Sequence, residues 1–396
     1  MSDVSSESGP CAEPRRQLIG LLAVSCGIVV ANIYYSQPLL GLIGPALHMQ
    51  PRAESLIVSL TQLGYAAGLL FLVPLGDLVE NRRLVVTTVA AAILPLLLAG
   101  LAWNGQVMLA VSVLIGLTSV AVQMLVPLAA HLTPEARRGR VVGLVTSGLL
   151  FGILFSRPLA SGIAVFGSWR TVFFVSAVLM AGLAWLLSRT LPYRKPEANH
   201  HYVALLASLF SLPVRYPVLR QRAAYQATAF AGFSLFWTGI PLFLAHDFGF
   251  TQRGIALFAL AGAAGAFVAP VAGHLADRGH TAAGTLASLV GVTIAFGVAA
   301  AGAKLNSVLV LALAAIVLDA SVQTSLVLGQ RAIYILAPEL RSRMNGVFMA
   351  MFFLGGAAGS AATGLLLANG GWIELCAAGA LLPLLALTYF LASSRG

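Results

Sequence analysis

Stretches of about twenty mostly apolar residues recur from one end of the chain to the other, and no other feature narrows its fold so far. At 1.5 Å per residue, about twenty helical residues cover the ~30 Å hydrocarbon layer of a bilayer. With charged, Pro and Gly breaks as boundaries, twelve such runs fit within the 396 residues: 18–45, 55–77, 84–102, 106–131, 141–165, 170–190, 222–246, 254–276, 281–303, 307–330, 344–369 and 371–392. A soluble chain carries roughly a quarter charged residues; this one has 9% charged against 59% hydrophobic. No soluble interior absorbs that much apolar side chain, so an all-α membrane protein with twelve transmembrane helices is expected.

A net charge of +10 would suggest nucleic acid as a partner for a soluble protein. Here the basic residues fall in short turns between apolar runs, so their meaning is topological and no nucleic-acid partner is read. With a cytoplasmic N-terminus, seventeen Lys and Arg lie on inner segments, whereas the outer loops hold only Arg52, Arg170, Arg253 and Lys304. That asymmetry is the one expected when positive loops stay inside, and it places both termini on the cytoplasmic side of the inner membrane. Residues 1–17 are polar, lack the pattern of a cleaved signal, and read as a disordered tail, as do 393–396. The 191–221 stretch reads as a cytoplasmic linker whose YVALLASLF piece, 202–210, lies along the inner surface. Cys11, Cys26 and Cys376 have no metal-ligand spacing, so neither cofactor nor metal is expected.

The chain repeats itself at about 200 residues. Leu75-Gly76-Asp77 matches Leu275-Ala276-Asp277, Pro134-Glu135-Ala136-Arg137 matches Pro338-Glu339-Leu340-Arg341, and Gly167-Ser168-Trp169 matches Gly370-Gly371-Trp372. Each copy, 18–190 and 222–392, holds six spans, so both enter the membrane the same way and an axis along the membrane normal relates them. Two bundles facing across such an axis leave a cleft about which they can rock.

Val73-Pro74-Leu75-Gly76-Asp77-Leu78-Val79-Glu80-Asn81-Arg82-Arg83 and Gly273-His274-Leu275-Ala276-Asp277-Arg278 resemble the loop motif of the major facilitator superfamily, approximately G-x-L-a-D-R-x-G-R-R. The resemblance covers nearly the whole chain and implies two pseudo-symmetric six-helix bundles. Asn32-Ile33-Tyr34-Tyr35-Ser36-Gln37-Pro38-Leu39-Leu40 and Gly148-Leu149-Leu150-Phe151-Gly152, followed by Arg157, look like the bacterial branch of twelve-span drug:proton antiporters, or efflux permeases. Arg157 stands beside Pro158 where that branch has Gly.

Asp77 and Asp277 end spans at the inner mouth of the presumed cleft. Arg137, Arg138 and Arg140 begin span five, and Arg341 and Arg343 begin span eleven, where free N–H groups add positive character. Crossed contacts are expected, Asp77 with the start of span eleven and Asp277 with the start of span five, as the resemblance also implies. With Arg82, Arg83 and Arg278 they form a latch that breaks when the inner side opens.

A carboxylate at the bilayer centre costs about 2.5–3.5 kcal/mol on insertion scales, and Asp319 is the one placed that deep, with Arg157 the deep cation. Low dielectric favours a protonated carboxyl and an approaching cation favours the ionised one, so Asp319 is a candidate proton carrier drawing on the proton gradient. The alternative is a structural Asp319 satisfied by Ser321, Gln323 or Arg157. Arg157 could instead bind an anionic substrate group, or hydrogen-bond backbone carbonyls near Pro158. Asn32, Tyr34, Tyr35 and Gln37 flank Pro38, where a bend is expected. The resemblance places spans one, four, seven and ten around the cavity, which adds Gln123, Gln226, Trp237, Gln323 and Gln330 as substrate-lining candidates. Each alone is as well explained as helix–helix glue. The Gly64/Gly68, Gly148/Gly152 and Gly355/Gly359 pairs have the spacing of close helix contact.

An intramembrane enzyme would need a nucleophile and base at matching depth, yet all seven histidines fall at or beyond span ends. A channel would need a charged ring or filter loop. The expected function is therefore secondary active transport of a small organic molecule by a monomer in the lipid bilayer. Proton-coupled efflux leads, with uptake of a sugar or other metabolite as the alternative.

Overall fold

The computed structural model describes residues 16–196, 201–265, 278–337 and 340–393, and every regular element among them is helical. Among the described residues nine stretches are long and apolar enough to cross a membrane: Pro51–Asp77, Asn81–Gly100, Gly105–His131, Arg137–Phe166, Trp169–Thr190, Pro217–Asp247, Thr281–Lys304, Val308–Tyr334 and Arg341–Ala392. The last has 52 residues, which as one rod would run about 78 Å, more than twice the hydrocarbon thickness. It breaks at Gly371, whose φ of 66° is a conformation glycine adopts without a Cβ penalty. The chain turns back there: Trp372 packs on Phe243, whereas Phe390 returns to Tyr225 near the start of span seven. Arg16–Ala31 with Leu40–Ala46 takes the first position, and Gln252–Gly265, which runs to the edge of the described residues, the eighth. Each of the twelve expected spans thus has helix among the described residues, with 266–276 of the eighth lying outside them.

Several helices begin earlier than the apolar runs suggest, those of spans five and seven by the most. Span five starts at Glu135 rather than 141, and span seven at Pro217 rather than 222. Arg137, Arg138, Arg140, Arg220 and Arg222 interrupt hydrophobicity but not helix, because their backbone groups bond within the helix whether or not lipid surrounds it. The linker helix is likewise longer than its apolar core, spanning Tyr202–Arg215. It buries Leu205, Leu209 and Leu212, and the Tyr202 hydroxyl donates to the Phe71 carbonyl at 2.8 Å.

Pro38 bends span one as expected, and the break is longer than a single kink. The helix stops at Ala31, passes through turns, makes a short 3-10 turn at Gln37–Leu39 and resumes at Leu40. Span starts carry local caps: Asn104 accepts from the Val107 N–H at 2.8 Å, and Ser168 and Thr171 form a capping box.

Glycine pairs set the closest helix approaches, and the same contact occurs in both halves. A Cβ on Gly148 or Gly152 of span five would collide with the backbone of Ala23 or Gly27 of span one. In the second half, Gly355 and Gly359 of span eleven sit against Ala227 and Ala231 of span seven. Gly64 and Gly68 of span two approach Val113 and Leu117 of span four in the same way. The halves meet through span two with span eleven and span five with span eight.

Candidate functional site

The seal between the halves lies on the face opposite the Arg-rich loops. Arg52 donates to Asn369 at 2.9 Å, the Ser55 hydroxyl accepts from the Gly364 N–H at 3.2 Å, and Ser59 donates to the Ala357 carbonyl at 2.6 Å. Deeper, Gln62 donates to Ser234 at 2.9 Å, and across the other seam Gln252 donates to both the Pro38 carbonyl and Ser161 at 2.9 Å. Glu54, beside this seal and buried against Gly44, is a carboxylate that apolar-run boundaries did not single out.

Below the seal a cavity of about 610 Å³ runs down to Arg341 and Ser342, both exposed, so it opens on the Arg-rich face. Spans one, four, seven and ten contribute to its wall, and so do spans two, five, eight and eleven, which the family pattern of four had not included. Arg157 and Asp319 both line it. Arg157 is only 4% exposed. Its Nε donates to Gln37 Oε1 at 2.8 Å, and its guanidinium carbon lies 4.4, 5.1 and 5.2 Å from the ring centres of Trp237, Phe233 and Tyr34. Such cation–π contacts contribute about 0.5–2 kcal/mol each, more where water is excluded. Among the described residues Nη2 is buried without a hydrogen-bond partner.

Asp319 Oδ1 accepts from the indole N–H of Trp237 at 2.7 Å. Glycine makes room for it: a Cβ on Gly262 would lie 2.6 Å from Asp319 Oδ2, and one on Gly265 2.5 Å from Asp319 Cβ. Among the described residues no hydrogen bond or ion pair joins Arg157 to Asp319 directly. Trp237 touches both, offering its edge to the carboxylate and its face to the guanidinium. The break in span one is what brings Tyr34 and Gln37 up to Arg157.

The other candidates divide. Tyr34, Gln123, Gln323 and Gln330 line the cavity. Gln123 donates to the Tyr65 hydroxyl at 3.1 Å and Gln330 to Asn345 at 3.1 Å. Asn32 is not on the wall; it accepts from Ser176 and donates to Met180 Sδ at 3.6 Å, joining span one to span six. Tyr35 and Gln226 are buried away from the cavity, and among the described residues neither amide atom of Gln226 has a partner. Tyr65, Tyr334 and Asn345 line the site without having been singled out. Their polarity was the available signal, but only helix rotation decides which polar residue faces inward.

At the Arg-rich mouth Asp77 shares a small cleft with Ser342, Arg343, Leu205 and Leu209. No ion pair closes it among the described residues, and Asp277 lies outside them. Arg341 donates to the Tyr334 carbonyl at 2.8 Å and Arg138 to the Ala130 carbonyl at 3.0 Å, so each caps the helix preceding its own. Arg82 donates to the Ser188 carbonyl, and Arg83, Arg137, Arg140 and Arg278 are exposed. Between spans, Glu80 accepts from the backbone N–H groups of Arg82, Arg83 and Arg194 at 2.8, 2.7 and 3.1 Å. Burial alone would raise its carboxyl, but these donors outweigh it and hold it below the usual carboxylate range.

The sequence pattern of the Major Facilitator Superfamily matches residues 22–327. The uncharacterized transporter YgaY of Escherichia coli O157:H7 is 42% identical over 373 residues, 93% of each chain. A probable transporter of Streptomyces coelicolor is 34% identical over 382 residues, 96% of this chain and 88% of its own. Among solved structures, the nucleoside transporter NupG matches with a TM-score of 0.77 at 15% identity, covering 94% of this chain and 99% of that one. At that identity the likeness concerns the fold.

Proposed function

The chain belongs to the major facilitator superfamily and is a membrane transporter rather than an enzyme; from that premise we propose that it is a secondary active transporter that moves a small organic molecule across the inner membrane by alternating access, coupled to protons through Asp319. One observation carries the reading: a cavity sealed on one face and open on the other, with Asp319 its one carboxylic acid among the described lining residues. A carboxyl there can take a proton from one side and release it on the other as the halves rock.

The resemblance to drug:proton antiporters favours efflux by exchange, with both termini cytoplasmic and the monomer as the working unit. A second reading, proton-coupled uptake, is favoured by Arg157, whose fixed positive charge beside the cavity makes substrate and proton cooperative for an anion. In either reading Tyr34, Gln123, Gln323 and Gln330 contact substrate. Asp77 with Arg343, and Asp277 with Arg137, Arg138 and Arg140, would close the mouth in the opposite state; the open cleft at Asp77 fits a latch released in this one.

The test is transport by the purified protein in proteoliposomes under an imposed pH gradient. Coupled transport accumulates substrate uphill, and its direction relative to the gradient separates exchange from cotransport. Asp319→Asn is expected to abolish uphill accumulation while downhill exchange of substrate continues; full uphill transport by that variant would remove Asp319 from the coupling role.

A further inference from the structure

We infer that the cavity takes an amphiphilic organic anion, its carboxylate or equivalent oxyanion pairing with Arg157 while its apolar body lies along the hydrophobic wall. This rests on the cavity being the transport site and adds the chemistry of what it holds. Arg157 is almost fully buried, and among the described residues its Nη2 has no hydrogen-bond partner. The three rings around it stabilise the cation through their faces but bring no counter-charge. Gln37 satisfies Nε with a neutral amide. A buried guanidinium left this way is an unfilled half of an ion pair.

The remaining wall is apolar for most of its length. Leu149, Ile153, Val322, Leu326, Met349 and Phe352 face a space of about 610 Å³, within the range of sites for drug-sized molecules. A small inorganic anion would leave that surface without a partner, and an organic cation would meet Arg157. Of the charged and titratable groups on the wall among the described residues, Tyr34, Tyr65, Tyr334, Arg157, Arg341 and Asp319, Asp319 is the only carboxylic acid and Arg157 the only deep cation.

Protonation of Asp319 removes the negative charge nearest Arg157 across Trp237, and an incoming carboxylate restores it. Proton and anion therefore bind cooperatively and cross in the same direction, which selects cotransport over exchange for this class of substrate. No covalent step is involved; one proton and one anion enter and leave together.

The experiment measures binding by calorimetry to the full chain in lipid nanodiscs, with three probes of one shape: 2-naphthoate, 2-naphthalenemethanol and 2-naphthylmethylamine. Naphthoate is expected to bind more tightly than the alcohol, and the alcohol more tightly than the amine. Naphthoate affinity is expected to rise on acidification, approaching tenfold per pH unit where one proton is taken up. Arg157→Gln is expected to lower the naphthoate-to-alcohol affinity ratio about ten- to a hundredfold, the scale of a lost charge-assisted pair. Arg157→Lys, which keeps the buried charge should the glutamine variant fail to fold, is expected to preserve the ratio's direction. Asp319→Asn is expected to bind naphthoate with no pH dependence. Preference for the amine, or an unchanged ratio in Arg157→Gln, overturns the inference. Selective naphthoate binding without transport in proteoliposomes would instead strike the transporter reading and leave the anion site standing.

Discussion

The indole N–H of Trp237 donates to Asp319 at 2.7 Å while the face of the same ring lies 4.4 Å from the Arg157 guanidinium. One side chain therefore stands between the two opposite charges of the cavity, hydrogen-bonded to one and in cation–π contact with the other. Trp237→Phe keeps a ring under Arg157 but removes the donor. A carboxylate deprived of one hydrogen bond in a buried site costs about 1–3 kcal/mol, so the variant is expected to unfold at a lower temperature and to turn over about tenfold or more slowly. Transport and unfolding measured on the same preparation check it; unchanged turnover would show that the bond is incidental.

The seal and the mouth make opposite population shifts. A Cβ at Gly364 would lie 2.7 Å from the Arg52 carbonyl and 2.9 Å from Ser55 Oγ, so Gly364→Val cannot close the seal. It is expected to favour the state open on that face, seen as faster labelling of a cysteine introduced by Ser59→Cys. Asp77→Asn, which weakens closure of the other mouth, is expected to slow that labelling.

Gly359 packs on the backbone of Ala231, and backbone cannot move aside as a flexible side chain can. Gly359→Val is expected to cost about 1–3 kcal/mol of stability. Gly297, where a Cβ would meet nothing within 4 Å, is the control: Gly297→Ala is expected to be neutral or stabilising in detergent unfolding.

Glu80 gives the loop after span two a pH dependence. Its carboxyl is held below the usual range by three backbone donors, so it adds stability that is present above the unfolded value, near pH 4, and lost as pH falls through the lower folded one. Glu80→Gln is expected to flatten the acid side of the unfolding profile below about pH 4 and to leave its slope near pH 7 unaltered. An identical acid limb in parent and variant would falsify this assignment.

Pattern reached far into the fold because lipid punishes every unpaired backbone group, leaving helices as the solution for long apolar runs. The repeat pairs Gly167-Ser168-Trp169 and Gly370-Gly371-Trp372 marked equivalent span starts, and both tryptophans are buried there. The glycine pairs read as packing became backbone contacts. Pattern stopped where rotation about a helix axis mattered. Asn32 and Tyr34 are two residues apart in a broken segment, yet Asn32 bonds to span six while Tyr34 faces the cavity. Gln226 and Gln123 have the same side chain in spans seven and four, and one is enclosed while the other is on the wall.

The amino-acid order by itself determined the twelve crossings, the doubling of a six-span unit, the break at Pro38 and the presence of one deep acid and one deep base, because each is a consequence of composition along a single helix. Only the tertiary structure decided that Trp237 stands between Arg157 and Asp319, that Gln37 rather than a carboxylate answers Arg157, and that the cavity opens toward the Arg-rich loops. Those facts depend on how separate helices rotate and lean against one another, which is set by packing summed over the whole assembly and written in no local stretch of chain.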